Sequence, residues 1–306
     1  MKKAFLSNEK DWFILLISVL IFFISIAIFM AFAIVIAIPV FGISFSEILN
    51  RIQDVSNPEN IEIIKYFQIL QTIGVFIIPS LFIGFLISRK PVQYLQFKRT
   101  LDIELAAMVV LIIICASPFI NLLSYINQQM KFPEFLQGVE NWMRDKENAA
   151  EEITVIFLNV TTLKGLLINI LMIGILPAFG EEMAFRGIIQ KQFVKITENK
   201  HLGVLIAAFI FSAIHFQFYG FIPRFVLGLF LGYIYIWTGN IWYPVIAHFI
   251  NNTMAVIAYY YISINDISYD IDNLGATNDT LLYGIGSIII TVFLLILIYR
   301  KTVNQR

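Results

Sequence analysis

Residues 165–190 read GLLINILMIGILPAFGEEMAFRGIIQ, and they decide the fold. A long apolar run leads straight into two adjacent carboxylates, Glu181 and Glu182. A segment of this length and apolarity is a membrane-spanning helix, which needs roughly 20 apolar residues to cross ~30 Å of hydrocarbon. If it stays helical from Lys164 to Lys195, Glu181 stands roughly 15–21 Å from its cytoplasmic end, at about 1.5 Å per residue. That is inside the bilayer, where an ionisable group faces a polar interior, a partner or a water-filled cavity. Pro177, one turn earlier, lacks an N–H and so frees a carbonyl.

The rest of the chain has the same character. Its 306 residues are 59% hydrophobic and 14% charged, include 29 Phe, and have a mean hydropathy of +0.81. Those fractions exclude an ordinary soluble domain. The formal net charge is zero and no basic run stands out, so no nucleic-acid partner is indicated. Cys115 is the only cysteine, which excludes an intrachain disulfide and a cysteine metal cluster and leaves it a packing residue.

Apolar stretches of spanning length lie near 12–40, 67–88, 103–126, 165–190, 202–218, 223–238, 241–262 and 281–299. The expected fold is therefore all-α, a polytopic membrane protein of about eight transmembrane helices. The first span is too long for a signal-peptide core and reads as a retained helix. Basic residues collect in alternate loops: Lys2, Lys3 and Lys10; Arg89, Lys90, Lys98 and Arg99; Lys191, Lys195 and Lys200; Arg300, Lys301 and Arg306. With eight crossings these share one side, which predicts both termini in the cytoplasm. The opposite loops are acidic, with Asp266, Asp270, Asp272 and Asp279 in the last. In the 127–163 loop, Phe135, Val139 and Met143 recur at helical spacing, which predicts amphipathic helices, read as solvated loop helices in preference to a substrate lid. There is no internal repeat and no soluble domain. We read residues 1–306 as one membrane domain, with residues 165–262 as its catalytic core.

Neighbouring residues on a helix differ by about 100°, so Glu181 and Glu182 cannot do the same job. Glu182 and Arg186 are four apart and pair on one face, which makes them a structural ion pair. Glu181 points elsewhere and is not neutralised by that arginine. The chain has three histidines: His201 borders a basic loop, His215 reads as well inside the fifth span, and His248 lies in the seventh with Asn252 one turn on. One free glutamate, two histidines and an asparagine on three helices form a joint polar site.

Three chemistries could use it. A proton or ion relay, as in a transporter, needs titratable groups strung across the bilayer, whereas these are clustered. A zinc site could take Glu181, His215 and His248, with a fourth position open for water. Peptide hydrolysis without metal could use Glu181 as general base on a water, shared with a histidine, while His248 and Asn252 donate to the oxyanion. No HExxH helix and no G-x-S-x-G elbow occurs. The segments SYD at 268–270 and YGIGS at 283–287 fall short of an aspartyl site, because Ser287 stands where an acid is needed.

EEMAFR (Glu181 to Arg186), FSAIH (Phe211 to His215) and HFINN (His248 to Asn252) resemble the EExxxR, FxxxH and HxxxN/D motifs of the CPBP family, in family order. That family comprises CAAX proteases and bacteriocin-processing or immunity (Abi-type) proteins. The motif-bearing resemblance covers residues 165–260. It implies an intramembrane endopeptidase acting on a membrane-associated protein or peptide, with lipidated, CAAX-like chains among the substrates; eukaryotic members remove the last three residues of prenylated proteins. It further implies that Glu181 is the catalytic glutamate, that His215 helps activate water, that His248 and Asn252 stabilise the oxyanion, and that Phe211 is a motif packing residue. Zinc use is disputed in the family. Some members act in immunity or as scaffolds without known catalysis, which is the alternative function. The lack of soluble domains and disulfides fits a bacterial cytoplasmic membrane, and oligomeric state is left open.

Other features read as packing or anchoring. Gly228 and Gly232 form a G-x-x-x-G for close helix contact. Trp237, Trp242 and Tyr243 read as interfacial anchors, Asn251 as a residue behind Asn252, and Arg224 as a lipid-headgroup anchor in preference to a clamp on a substrate carboxylate.

Overall fold

The computed structural model describes residues 3–55, 57–98, 100–267 and 273–304. Lys2, Arg99, Asp270, Asp272 and Arg306, and the SYD segment, lie outside the described residues. Among the described residues, ten helices of nine residues or more organise the fold. They are α1 (Asp11–Phe41), α2 (Phe45–Gln53), α3 (Pro58–Ser88), α4 (Ile103–Gln128), α5 (Gln137–Leu158), α6 (Leu163–Thr197), α7 (Lys200–Ala213), α8 (Phe221–Thr238), α9 (Trp242–Asn265) and α10 (Leu281–Asn304). No strand occurs among the described residues. Lipid offers the backbone no hydrogen bonds, so each crossing segment must satisfy its own, and the helix does so.

Seven of these helices, α1, α3, α4, α6, α8, α9 and α10, are long and apolar enough to cross a membrane. Large apolar side chains stay exposed on them, Phe23 at 67% and Ile289 at 67%, as a lipid-facing surface requires. The expected fifth span is the correction. α7 has 14 residues, about 21 Å of helix, and stops at Ala213. The apolar run continues past that point, but Phe216 takes a left-handed conformation with φ of +53° and ends the helix.

The basic segments gather on one face. Lys195 pairs with Asp11 at 3.1 Å, Lys301 with Glu104 at 2.7 Å and Asp102 at 3.2 Å, and Lys191 donates to the Tyr94 carbonyl. The backbone N–H of Lys98 meets Asn240 in the α8–α9 turn at 3.4 Å. α2, α5 and the α7–α8 turn occupy the opposite face. Trp242 is half-buried and packs edge-on to Phe97 and Phe179, so it is a packing residue where an interfacial anchor was expected.

Helix caps follow from local sequence. Ser44, Asp102, Thr162 and Asn199 accept backbone N–H bonds at the starts of α2, α4, α6 and α7. Gly239 closes α8 with φ of +57°, which a side chain would resist. α6 is irregular, with wide π turns at Ile170–Ile175 and Phe185–Ile189 bracketing Glu181 and Glu182. Such turns concentrate at functional sites.

Gly228 and Gly232 let α8 approach α6 and α7. A Cβ at Gly232 would stand 2.8 Å from Gln190 Oε1 and from Val204 Cγ1. The close approach brings two α8 carbonyls within reach of α6: Arg186 Nη2 donates to Gly228 O and Gln190 Nε2 to Gly232 O, both at 3.1 Å. The G-x-x-x-G is thus occupied by contacts within the chain.

Candidate active site

The buried anchor of the site is Glu182. Its side chain is 0% exposed, and Oε1 accepts from Arg186 Nη1 at 2.9 Å and from His248 Nδ1–H at 2.9 Å. The pairing with Arg186 is the one that their spacing predicts. The bond to His248 was not expected, because it depends on how α9 is rotated against α6. Since a carboxylate only accepts, His248 carries its proton on Nδ1 here, and Nε2 is turned towards Glu181 Oε2 at 3.9 Å.

Glu181 faces a cavity of about 790 Å³, which His215, His248, Asn251 and Asn252 also line. Its side chain is 13% exposed and accepts no hydrogen bond from a described residue closer than that 3.9 Å contact. Two consecutive residues on α6 have therefore been separated by helix geometry, one into the packed interior and one into the cavity.

His215 lies in the turn after α7, beyond the helix that was expected to carry it. There its backbone N–H turns to Ser212 O at 3.4 Å, and the Phe211 carbonyl is taken by the His215 side chain instead, at 2.7 Å. The spacing of four in FSAIH is this side-chain cap. A carbonyl only accepts, so Nδ1 is again the protonated nitrogen and Nε2 carries a free lone pair. The Phe211 ring packs against His215 (5.2 Å between centroids), His248 (6.0 Å) and Phe185 (5.1 Å), with the Arg186 guanidinium 4.9 Å from its centre. It locks both imidazoles and the ion pair in one packed unit.

Asn252 donates Nδ2–H to Ile173 O at 2.9 Å. Pro177 is four residues after Ile173 and has no N–H to offer it, so proline and asparagine explain each other. Asn251 donates to Asn252 Oδ1 at 3.1 Å, which fixes the orientation of that amide and leaves its second N–H available.

The wall on the α5 face was missed by sequence reasoning. Ile153, Thr154 and Phe157 of α5 line the cavity, so α5 is part of the site where a solvated loop helix was expected. Glu147 Oε2 accepts the Tyr219 N–H at 3.0 Å, while Asn127 bonds Phe218 O at 3.1 Å and the Ile222 N–H at 2.7 Å. Burial pushes the Glu147 carboxyl above its ordinary range, against the Tyr219 bond. Glu140 is the reverse case. The Phe132 N–H, and then the Arg144 guanidinium, hold its carboxyl below the usual value. Arg224, expected at the lipid surface, lines the cavity instead.

Two neutral imidazole nitrogens and a carboxylate are chemically suitable for zinc, which needs its ligands to converge at about 2 Å. Among the described residues no group of three His, Cys, Asp or Glu side chains is arranged to hold a metal ion.

Comparison with known proteins agrees with the motifs. Residues 163–254 match the family described as type II CAAX prenyl endopeptidase Rce1-like. A curated relative, the uncharacterized protein YpbD of Bacillus subtilis (strain 168), is 38% identical over 86 residues, which is 27% of this chain and 41% of that protein. The chain thus spans less than half the length of this relative. No solved structure matches the chain. The matched segment is the one that bears all three motifs.

Proposed function

We propose that the protein is an intramembrane endopeptidase in which Glu181 activates water. The observation that carries this reading is the split between the two adjacent acids: Glu182 is fully buried in pairing, whereas Glu181 is unpaired and faces the same cavity as two histidines. A general base within the membrane needs that exposure to a wet cavity and that freedom from an ion pair. His215 Nε2, with its lone pair, orients the same water.

The reaction balances with the chain's own groups. Glu181 takes a proton from water as the oxygen bonds to the scissile carbonyl carbon. The negative charge then formed on the carbonyl oxygen is met by the second N–H of Asn252 and by His248 when its Nε2 is protonated. Glu181 returns the proton to the amide nitrogen, the C–N bond breaks, and an acid and an amine leave. Glu182 and Arg186 act indirectly, by holding His248.

The substrate is a membrane-associated protein or peptide within the bilayer. We read the face with the basic loops as cytoplasmic, with both termini on it and the cavity, walled by α5, towards the outer half. We read the protein as residing in a bacterial cytoplasmic membrane and taking exported peptides or outer segments of membrane proteins. Terminal-peptide mass spectrometry on membranes from cells carrying wild type or Glu181→Gln at matched expression tests this. New chain ends confined to wild type, in segments exposed outside the cytoplasm, are expected. Coincident profiles, with the protein folded and its biological effect present, would favour the non-catalytic immunity or scaffold role.

A further inference from the structure

Arg224 is a cation that the reaction above does not use. It lies in the first turn of α8, four residues after Gly220, in the wall of the cavity that holds Glu181. Its Nη2 donates to a neutral acceptor, Gln217 Oε1, at 2.6 Å, while Nη1 is buried with no hydrogen-bond partner. No carboxylate among the described residues comes within ion-pair distance of it. The other guanidinium of the interior, Arg186, is fully matched by Glu182 and Gly228 O.

Burying a guanidinium nitrogen without an acceptor is costly, and native interiors rarely tolerate it. Here the cost is incurred in a rigid setting. Asn127, Glu147 and Ser212 all pin the 215–222 segment, which carries Gln217 and leads into the helical turn of Arg224. Glu147, whose carboxylate holds the Tyr219 N–H, attracts Arg224 by charge without bonding to it, and Glu182, Arg186, Glu181 and Arg224 are the charges around the catalytic helices. Of these four, Glu182 and Arg186 form a closed pair, and the remaining two, Glu181 and Arg224, face one cavity.

We propose that Arg224 forms an anion subsite that receives a carboxylate of the peptide substrate and so sets where the chain is cut relative to that charge. This rests on the peptidase reading and adds to it a substrate class, peptides with an anionic group a short distance from the scissile bond. The carboxylate has two sources, the chain's own C-terminus or an Asp or Glu side chain.

The test uses the full chain in lipid nanodiscs, both wild type and Glu181→Gln, the latter to remove turnover. Three probes are titrated: acetyl-Leu-Phe-Ile with a free carboxylate, the same tripeptide as its carboxamide, and acetyl-Leu-Phe-Asp carboxamide. A carboxylate-bearing probe should bind about tenfold more tightly than the plain carboxamide, as a charge-assisted bond provides. That advantage should disappear in Arg224→Gln and survive in part in Arg224→Lys. Whichever carboxylate keeps the advantage identifies its source. Equal binding of all three probes, no binding of any, or an undiminished advantage in Arg224→Gln would overturn the subsite. A variant that only melts earlier, with the preference intact, would make Arg224 structural and have the same consequence. Carboxylate-dependent binding in a protein that generates no new chain ends would leave the subsite standing and remove the peptidase reading.

Discussion

Glu181 and Glu182 are chemically identical and adjacent, yet loss of charge at the two positions should have opposite consequences. In Glu182→Gln the shape is kept, but Arg186 becomes a buried cation without a counter-charge. Removing one partner of such a pair costs about 3–5 kcal/mol. At about 1.4 kcal/mol per factor of ten, that lowers the folded-to-unfolded ratio roughly 10²- to 10⁴-fold. The Glu182 side chain is 0% exposed, so solvent screening does not reduce the figure. In Glu181→Gln no ion pair closer than 3.9 Å is lost, and a desolvated charge is removed. Stability should be unchanged or higher, while turnover falls by about 10²- to 10⁴-fold, the usual contribution of a general base.

The assay is thermal unfolding of purified protein in nanodiscs, alongside turnover on any substrate identified by its chain ends. The double variant Glu182→Gln/Arg186→Met sharpens it, because replacing both members of a buried pair by neutral groups is often close to neutral. It should regain much of the stability without regaining activity, since His248 Nδ1–H loses its charged acceptor. Equal destabilisation by Glu181→Gln and Glu182→Gln, or a Glu182→Gln variant melting at the wild-type temperature, would refute this division of roles.

Two further outcomes are expected. Gly232→Ala puts a methyl 2.8 Å from Gln190 Oε1 and Val204 Cγ1, so overpacking should destabilise the protein by about 1–3 kcal/mol, read as a lower unfolding temperature. Glu140 has a lowered carboxyl pKa in the folded protein, so its contribution is present above the ordinary value of 4.5 and is lost as pH falls through the lowered one. Hydrogen exchange at the Phe132 amide should therefore be slower in wild type than in Glu140→Gln at pH 7, and this difference should vanish once Glu140 is protonated in strong acid; a difference independent of pH would refute the assignment.

What could be read from sequence and what could not divides along physical lines. The spans were legible because lipid imposes a length and an apolarity on each helix separately. The Glu182–Arg186 pair was legible because a spacing of four is a property of one helix. The Glu182–His248 bond was not, since it depends on how closely and at what rotation α9 meets α6. Gly174 is where that approach is allowed: a Cβ there would stand 2.5 Å from Thr253 Oγ1. His215 was placed too deep because hydropathy continues smoothly through Ile214, Phe216 and Phe218, whereas the helix end is a backbone event at Phe216. Gly220 and Pro223, just ahead, were the available signal. Amphipathicity showed that α5 had two faces, but a moment does not say what the apolar face covers.

Charge balance in the interior connects these cases. A bundle in lipid tolerates an ionisable group when a neighbour on the same helix neutralises it, and Glu182 with Arg186 meets that condition without outside help. Glu181 and Arg224 do not, and no single helix contains a partner for either. Their placement is stable because three other elements build a polar cavity around them: the α7–α8 turn pinned by Asn127 and Glu147, the α9 asparagines, and α5. Groups that a single helix cannot neutralise are thus the ones whose surroundings sequence periodicity cannot reveal. They are also the ones left free to meet a substrate, which is why two acids stand side by side in EEMAFR with different fates.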